Sequence, residues 1–306
     1  MNMRLLRVVA TVASQGSLIK ASQVLGLTQP ALTKNLREVE DLVGVRLFDR
    51  HARGVQANAH GQLLADAAHK ILTILGDVES GFDQLDARAG GTVVVGALPT
   101  SAAGVIPGII QRLRATDPEI EVRVVENRIN ELQSALTLGD IDLVVGRLYD
   151  NDDLADLERV PLYDEPLSFV VGRQHPLASR EHVTVTDIGR YELSLPLASL
   201  RISADTQAFL KAIGMEWREG FTTTSLTLQR EMLLVSDLIC VIPWLMLHGD
   251  VKRGTVECLN LVHSGRPPAR PAGLVRRRDR PLSPAAMRFV AVLSDYARSV
   301  LPQYVQ

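Results

Sequence analysis

Residues 17–49, reading SLIKASQVLGLTQPALTKNLREVEDLVGVRLFD, restrict the possible folds of this chain more than any other stretch. They divide into two short amphipathic helices around a glycine. Ser17 carries the hydroxyl to cap the first helix, and Ile19, Ala21, Val24 and Leu25 give it an inward apolar face with Lys20 pointing out. Gly26 ends it. Leu27 then dips back into the core and Thr28 offers an oxygen to the open amides of the next helix. Pro30 falls in the first turn of that helix, where a missing N–H costs nothing. Ala31, Leu32, Leu36, Val39 and Leu42 recur at helical spacing, which leaves Gln29, Thr33, Lys34 and Arg37 on the opposite side. Two helices joined so tightly predict a helix-turn-helix, whose second helix is shaped for a DNA major groove. Lys34 and Arg37 suit phosphates or guanine edges, while Gln29 and Thr33 suit base edges or the backbone.

A preceding helix over residues 3–14, with Leu5, Val8, Val9 and Val12 inward, supplies the third element of a small core. Beyond the pair, Arg46, Leu47 and Phe48 followed by residues 49–55 predict a two-stranded wing. Leu47 and Phe48 would be buried, and Arg50 and Arg53 would face the DNA backbone or minor groove. The same segment could instead be a helical pair that merely packs, but its charge argues for DNA. Residues 1–60 hold eight Lys and Arg against four Asp and Glu, a net of +4, while the whole chain is −2 and the remainder therefore −6. Screening confines that attraction to the amino-terminal module. Arg4 and Arg7 ahead of VVATVA imitate a signal peptide, but Ser14 and Gln15 cut the apolar run short. No stretch approaches the ~20 apolar residues of a membrane span, which predicts a soluble, cytoplasmic chain with no membrane partner.

The stretch GSLIKASQVLGLTQPALTKNLREVEDLVGVRLFDR resembles the amino-terminal signature of LysR-type transcriptional regulators. That family usually has a second Ala where this chain has Ser22, and an Arg where it has Lys34. Thr28, Gln29, Pro30, Thr33, Lys34, Arg37, Arg50 and Arg53 are the expected DNA-binding set.

From Asn58, a plausible cap, one long helix follows. Leu64, Ala68, Ile71, Leu75, Val78, Phe82 and Leu85 alternate at spacings of four and three, the seam of a coiled coil over about three heptads. Either this is a dimerisation helix, or it is an ordinary amphipathic helix lying on its own domain. The narrow seam between two candidate domains favours the first. Gly90-Gly91 ends it. In the resembled family this element is the linker that pairs subunits, which implies a homodimer or homotetramer on a double-stranded operator of dyad symmetry.

Residues 91–306 alternate strand-like apolar runs with helices. TVVVGAL, EIEVRVVE, IDLVVGR, LSFVVGR, LSLPLA, LICVIP and AGLVRRR are expected to be buried on both faces. Helices are expected near 104–115, 130–138, 204–213 and 225–235, and after Ser283. Prolines near 164–167 and 266–272 are expected to interrupt regular structure where the chain crosses between two lobes: lobe I about 91–165 and 270–306, lobe II about 166–269. The predicted class is α+β multidomain: winged helix-turn-helix (1–58), linker helix (59–90), and a two-lobed α/β domain. This layout, with VGALPT, GDIDLVVGR and HPLA, resembles the effector domain of LysR-type regulators, itself similar to periplasmic binding proteins.

Open α/β sheets bind ligands beyond the carboxyl ends of their strands. That points to the loops carrying Thr100, Ser101, Ile129, Arg147, Arg201, Ser203 and Thr223, which the family resemblance implies border a cleft for a small effector between the lobes, with carboxylates among the ligands such a helix start favours. Thr100 and Ser101 could equally be caps, and Arg147 and Arg201 could equally sit in surface ion pairs. Enzyme chemistry finds little support: Cys240 and Cys258 form no CxxC, there is no HExxH, GxSxG or Gly-rich phosphate loop, and His175 and His182 lack nearby carboxylates at ligand spacing. No metal or cofactor is expected. The family resemblance adds RNA polymerase as a partner.

Overall fold

The computed structural model describes residues 1–51, 54–85, 90–149, 156–198, 200–262 and 269–301. Three helices, α1 (Met3–Gln15), α2 (Leu18–Val24) and α3 (Gln29–Val43), form the amino-terminal head, and β1 (Phe48–His51) pairs antiparallel with β2 (Gly54–Ala57) as its wing. Each helix start has a reason in the sequence. Asn2, Ser17 and Thr28 accept from backbone N–H groups three residues on, and Pro30 sits in the first turn of α3. Gly26 adopts φ +61°, the left-handed geometry that the turn after α2 requires. Leu5, Val8, Val9, Val12, Ala21, Leu32, Leu36 and Val39 close the core with Leu47 and Phe48.

Two expected core positions are not in it: Ile19 is 59% exposed and Leu42 58% exposed. Ala21 and Ser22 take the buried face of the short α2, leaving no room for Ile19. Leu42 lies in the last turn of α3, past the point where α1 can cover it.

Helix α4 (Ala59–Leu85) follows, its start held by the Asn58 carboxamide oxygen, which accepts from the Gly61 N–H at 3.0 Å. The carboxy-terminal body contains β3 (Thr92–Ala97), α5 (Pro99–Gly104), α6 (Ile106–Thr116), β4 (Glu121–Glu126), α7 (Ile129–Leu138), β5 (Leu143–Arg147) and β6 (Leu157–Gly172). It continues through α8 (Val185–Ile188), β7 (Glu192–Pro196), α9 (Arg201–Ala212), β8 (Arg218–Thr223), α10 (Leu226–Val235) and β9 (Ile239–Pro243). After a 3-10 turn at Trp244–Leu247 come α11 (His248–Arg253), β10 (Val256–Cys258), β11 (Ala269–Arg277) and α12 (Pro284–Ser299).

The strands join in the order β4-β3-β5-β11-β6-β9-β7-β8, with β10 on the side of β6. The β3/β4, β3/β5, β7/β8 and β7/β9 pairs are parallel, and the central β5/β11/β6/β9 ladders antiparallel. Two parallel units, each covered by helices, are thus stitched together by β6 and β11. Val93, Val95, Ile109, Leu113, Leu143 and Phe289 belong to the core of the first, and Phe169, Ile188, Leu193, Phe209, Leu210 and Ile239 to that of the second.

Two sequence expectations change here. β4 is an edge strand with Val124 and Val125 exposed, not a strand buried on both faces. Pro166 and Pro271 lie within β6 and β11 instead of interrupting them. Pro166 precedes the β6/β9 ladder, which starts at Leu167, and Pro271 precedes the β11/β5 ladder, which starts at Ala272. Each has a strand partner on one side only there, so the N–H that proline lacks is not needed on the other. Pro267 and Pro268 fall outside the described residues. A register irregularity between Ala272 and Gly273 marks the crossing.

Candidate nucleic-acid interface and inter-lobe cleft

Helix α3 buries Leu32, Asn35, Leu36 and Val39 and turns the other side outward. Gln29, Pro30, Thr33, Lys34 and Arg37 together line one shallow depression of about 390 Å³. No acidic residue occupies the first turn, so no carboxylate there offsets the positive end of the helix dipole. Glu40 fixes the corner beyond: its carboxylate accepts from the Leu47 N–H at 2.8 Å and ties α3 to the wing. The Arg50 side chain and the whole of Arg53 lie outside the described residues.

The proposed seam on α4 is divided. Ala68 is fully buried against Leu6 and Ala10 of α1 and so is not available to a partner, and the half-buried Leu64 packs on the head core. For Ala68 this is a correction: the first three turns of the helix pack on their own domain. Ile71, Leu75 and Val78 are exposed, and Leu63 and Ile74 join them on the surface. Of Phe82 and Leu85 only the backbone is described.

In the carboxy-terminal body Thr100 and Ser101 lie in the first turn of α5, both buried. They do not act as caps. The Ser101 hydroxyl instead stands 3.1 Å from that of Tyr163 on β6. Arg147, at the end of β5, is only 3% exposed and takes part in no surface ion pair. Its Nε donates to the Glu165 carboxylate at 3.2 Å, its Nη2 to the Glu165 carbonyl at 3.0 Å, and its Nη1 to Asp205 of α9 at 3.4 Å. Arg270 of β11 closes the network onto Asp205 at 2.8 Å. Burial raises the Glu165 carboxyl above its ordinary range while the Arg147 guanidinium pulls it back, and burial likewise raises the Tyr163 phenol.

Arg201 and Ser203 start α9, three residues earlier than expected. The Arg201 guanidinium stands 5.1 Å over the Tyr149 ring, and Ser203 is buried. The Thr223 hydroxyl accepts from the Ser225 N–H at 3.0 Å and shapes the entry to α10. Ile129 packs against lobe I beside Leu132 and Leu136. The structure thus links Ser101 and Arg147 through β6 to α9, and adds Tyr163, Glu165, Asp205 and Arg270, which sequence reasoning missed. Their partners lie 18 to 65 residues apart, beyond any local spacing signal.

A winged helix-turn-helix joined by a long helix to a two-lobed α/β body with a charged network between its lobes defines a DNA-binding regulator with a ligand-sensing domain. The bacterial regulatory helix-turn-helix proteins of the lysR family match residues 3–62, and the LysR substrate binding domain matches residues 86–298. The transcriptional regulator PcaQ of Agrobacterium fabrum is 33% identical over 291 residues, spanning 94% of this chain and 93% of that protein. The dual regulator OxyR of Escherichia coli is 29% identical over 282 residues, 92% of this chain and 91% of its own. Among solved structures, CbnR, a LysR family regulator, has a TM-score of 0.61 at 19% identity, covering 97% of this chain and 99% of its own. The chain belongs to the LysR family and is a DNA-binding transcriptional regulator with an effector-binding domain. Among the described residues no helix is long and apolar enough to cross a membrane.

Proposed function

We propose that the exposed face of α3, through Gln29, Thr33, Lys34 and Arg37, reads one major-groove half-site, and that a small anion bearing a carboxylate, bound between the lobes, switches the reading. The observation that carries the second half is the network at the crossing. Two guanidiniums, Arg147 and Arg270, converge on one carboxylate, Asp205, which belongs to the other lobe. Arg–carboxylate forks suit a carboxylate ligand equally well. An incoming carboxylate that replaces Asp205 frees α9 from β5 and β11 and changes how the lobes sit. Differential affinity for the two arrangements is what shifts the population.

The exposed stretch of α4 at Ile71, Ile74, Leu75 and Val78 supports pairing of two chains, which would present two heads to an operator of dyad symmetry. In this reading the protein works in the cytoplasm, where its DNA is, performs no catalysis, and acts with RNA polymerase.

Relatives named hydrogen peroxide-inducible genes activators raise a second possibility, thiol sensing. Cys240 on β9 and Cys258 on β10 both stand opposite Val170, on its two sides. Two strand spacings, about 9.6 Å, separate them, more than the ~7 Å a disulfide can bridge. Burial also pushes the Cys240 thiol up to about 12, away from the reactive thiolate. A carboxylate effector is therefore favoured over a disulfide switch between these two cysteines.

The test is thermal unfolding of the full chain with small carboxylic acids and their matched amides. A ligand at about 100 times its Kd adds ~2.7 kcal/mol of stability. Acids are expected to raise the melting temperature where amides do not, and Asp205→Asn is expected to strengthen that response. Stabilisation by the amides alone would overturn the carboxylate assignment.

A further inference from the structure

The helix that crosses over between two parallel strands runs back from their carboxyl edge to their amino edge. α7 is such a helix, leaving β4 and returning to β5 beside β3. Its first turn, preceded by Asn127 and Arg128, stands at the edge that borders the effector cleft in the reading above. Its last turn stands at the opposite edge, about 15 Å away for ten residues.

The two flanks of α7 face different bodies. Ile129, Leu132 and Leu136 pack on lobe I with Ile141, Val144 and Val275. Ser134 and Leu138, one turn apart on the other flank, meet the head. Leu138 is 4% exposed and packs with Leu6 and Ala10 of α1 and Ala68 and Leu72 of α4. The Ser134 hydroxyl accepts from the Gln15 carboxamide, and Asp140, just past the helix, pairs with Arg7. From the sheet side Arg277 donates to the Thr137 carbonyl at 2.9 Å and steadies the same turn. None of these contacts uses α3, whose Gln29, Lys34 and Arg37 stay exposed.

We propose that α7 is a direct coupling element between the effector cleft and the DNA-reading head. Seated on α1 and α4, it sets the angle of the head to lobe I. A displacement at its cleft end changes that angle without passing along the covalent route through α4 and residues 90–91. This inference rests on the cleft position proposed above, but its contacts with the head do not.

Amide exchange of the full-length protein tests it, with a duplex enriched from a random-sequence library by the protein itself as probe. Arg7→Asp sets like charges against each other at the seat, and Arg7→Asp with Asp140→Arg restores the attraction. Arg7→Asp is expected to speed exchange over 134–140 roughly tenfold, with recovery in the double variant. Adding the duplex is expected to slow exchange at 127–132 in the wild type and the double variant, and to leave it unchanged in Arg7→Asp. Unaltered exchange at 134–140 in Arg7→Asp, or protection at 127–132 that persists there, overturns the proposal. Failure to enrich any duplex would count against the reading assigned to α3, while the exchange at 134–140 would still decide whether the seat exists.

Discussion

Arg147 shows how differently two kinds of residue respond to substitution in this protein. Its guanidinium is buried and spends its donors on Glu165 and Asp205. Arg147→Met leaves the buried Glu165 carboxylate without its cation, while Asp205 keeps Arg270, and is expected to cost about 3–5 kcal/mol, read as a large fall in melting temperature. Lys34 and Arg37 are exposed, and their loss should leave stability within ~0.5 kcal/mol of the parent. Their effect appears on DNA instead. Where either touches a phosphate, the alanine variant weakens binding to all sequences alike and flattens the logarithmic salt dependence by about one unit. A salt slope and sequence preference both equal to the parent's would remove that residue from the interface. The outward face of α3 could be found from sequence because its spacing is local, three and four residues along one helix. The partners of Arg147 could not, since strand crossing and lobe closure bring them together from distant positions.

At the scale of elements, α4 has two roles that a heptad pattern alone does not separate. Apolar residues at spacings of three and four announce a helix with an apolar side, but do not say whose surface covers it. The structure gives Leu64 and Ala68 to the head and leaves Ile71, Ile74, Leu75 and Val78 outside. Ile74→Asp should therefore shift the sedimentation of the full chain toward the monomer with little change in its melting temperature. Ala68→Asp should instead unfold the head by placing a charge in its core. A second consequence concerns pH. His69 of α4 is held below its ordinary range by burial, with Arg277 of β11 adding to the depression, while the Ala65 carbonyl and Asp66 oppose it. The folded state thus binds the proton less tightly than the unfolded chain, and stability falls as pH drops below ~6.5, levelling off once the folded group also titrates. Unfolding measured between neutral pH and about pH 5 should show this slope, and His69→Gln should reduce it.

For the molecule as a whole, the class of fold was legible because helix and strand periodicities alternate cleanly in the sequence and the head carries its own charge signature. The crossing was read less well. Prolines at 166 and 271 look like breaks in a linear sequence, yet both sit inside strands, one residue before a second ladder begins. Gly273, beside the register irregularity, is indispensable there: a Cβ would run into the Val160 carbonyl and meet the Leu162 amide. Gly273→Ala is expected to destabilise the protein by about 1–3 kcal/mol through that overlap, measurable by denaturant unfolding. The lobes are therefore not beads on a thread. A crease in a two-ply ribbon bends most easily about one axis, so a ligand bound as proposed beside it can ask for only one kind of movement.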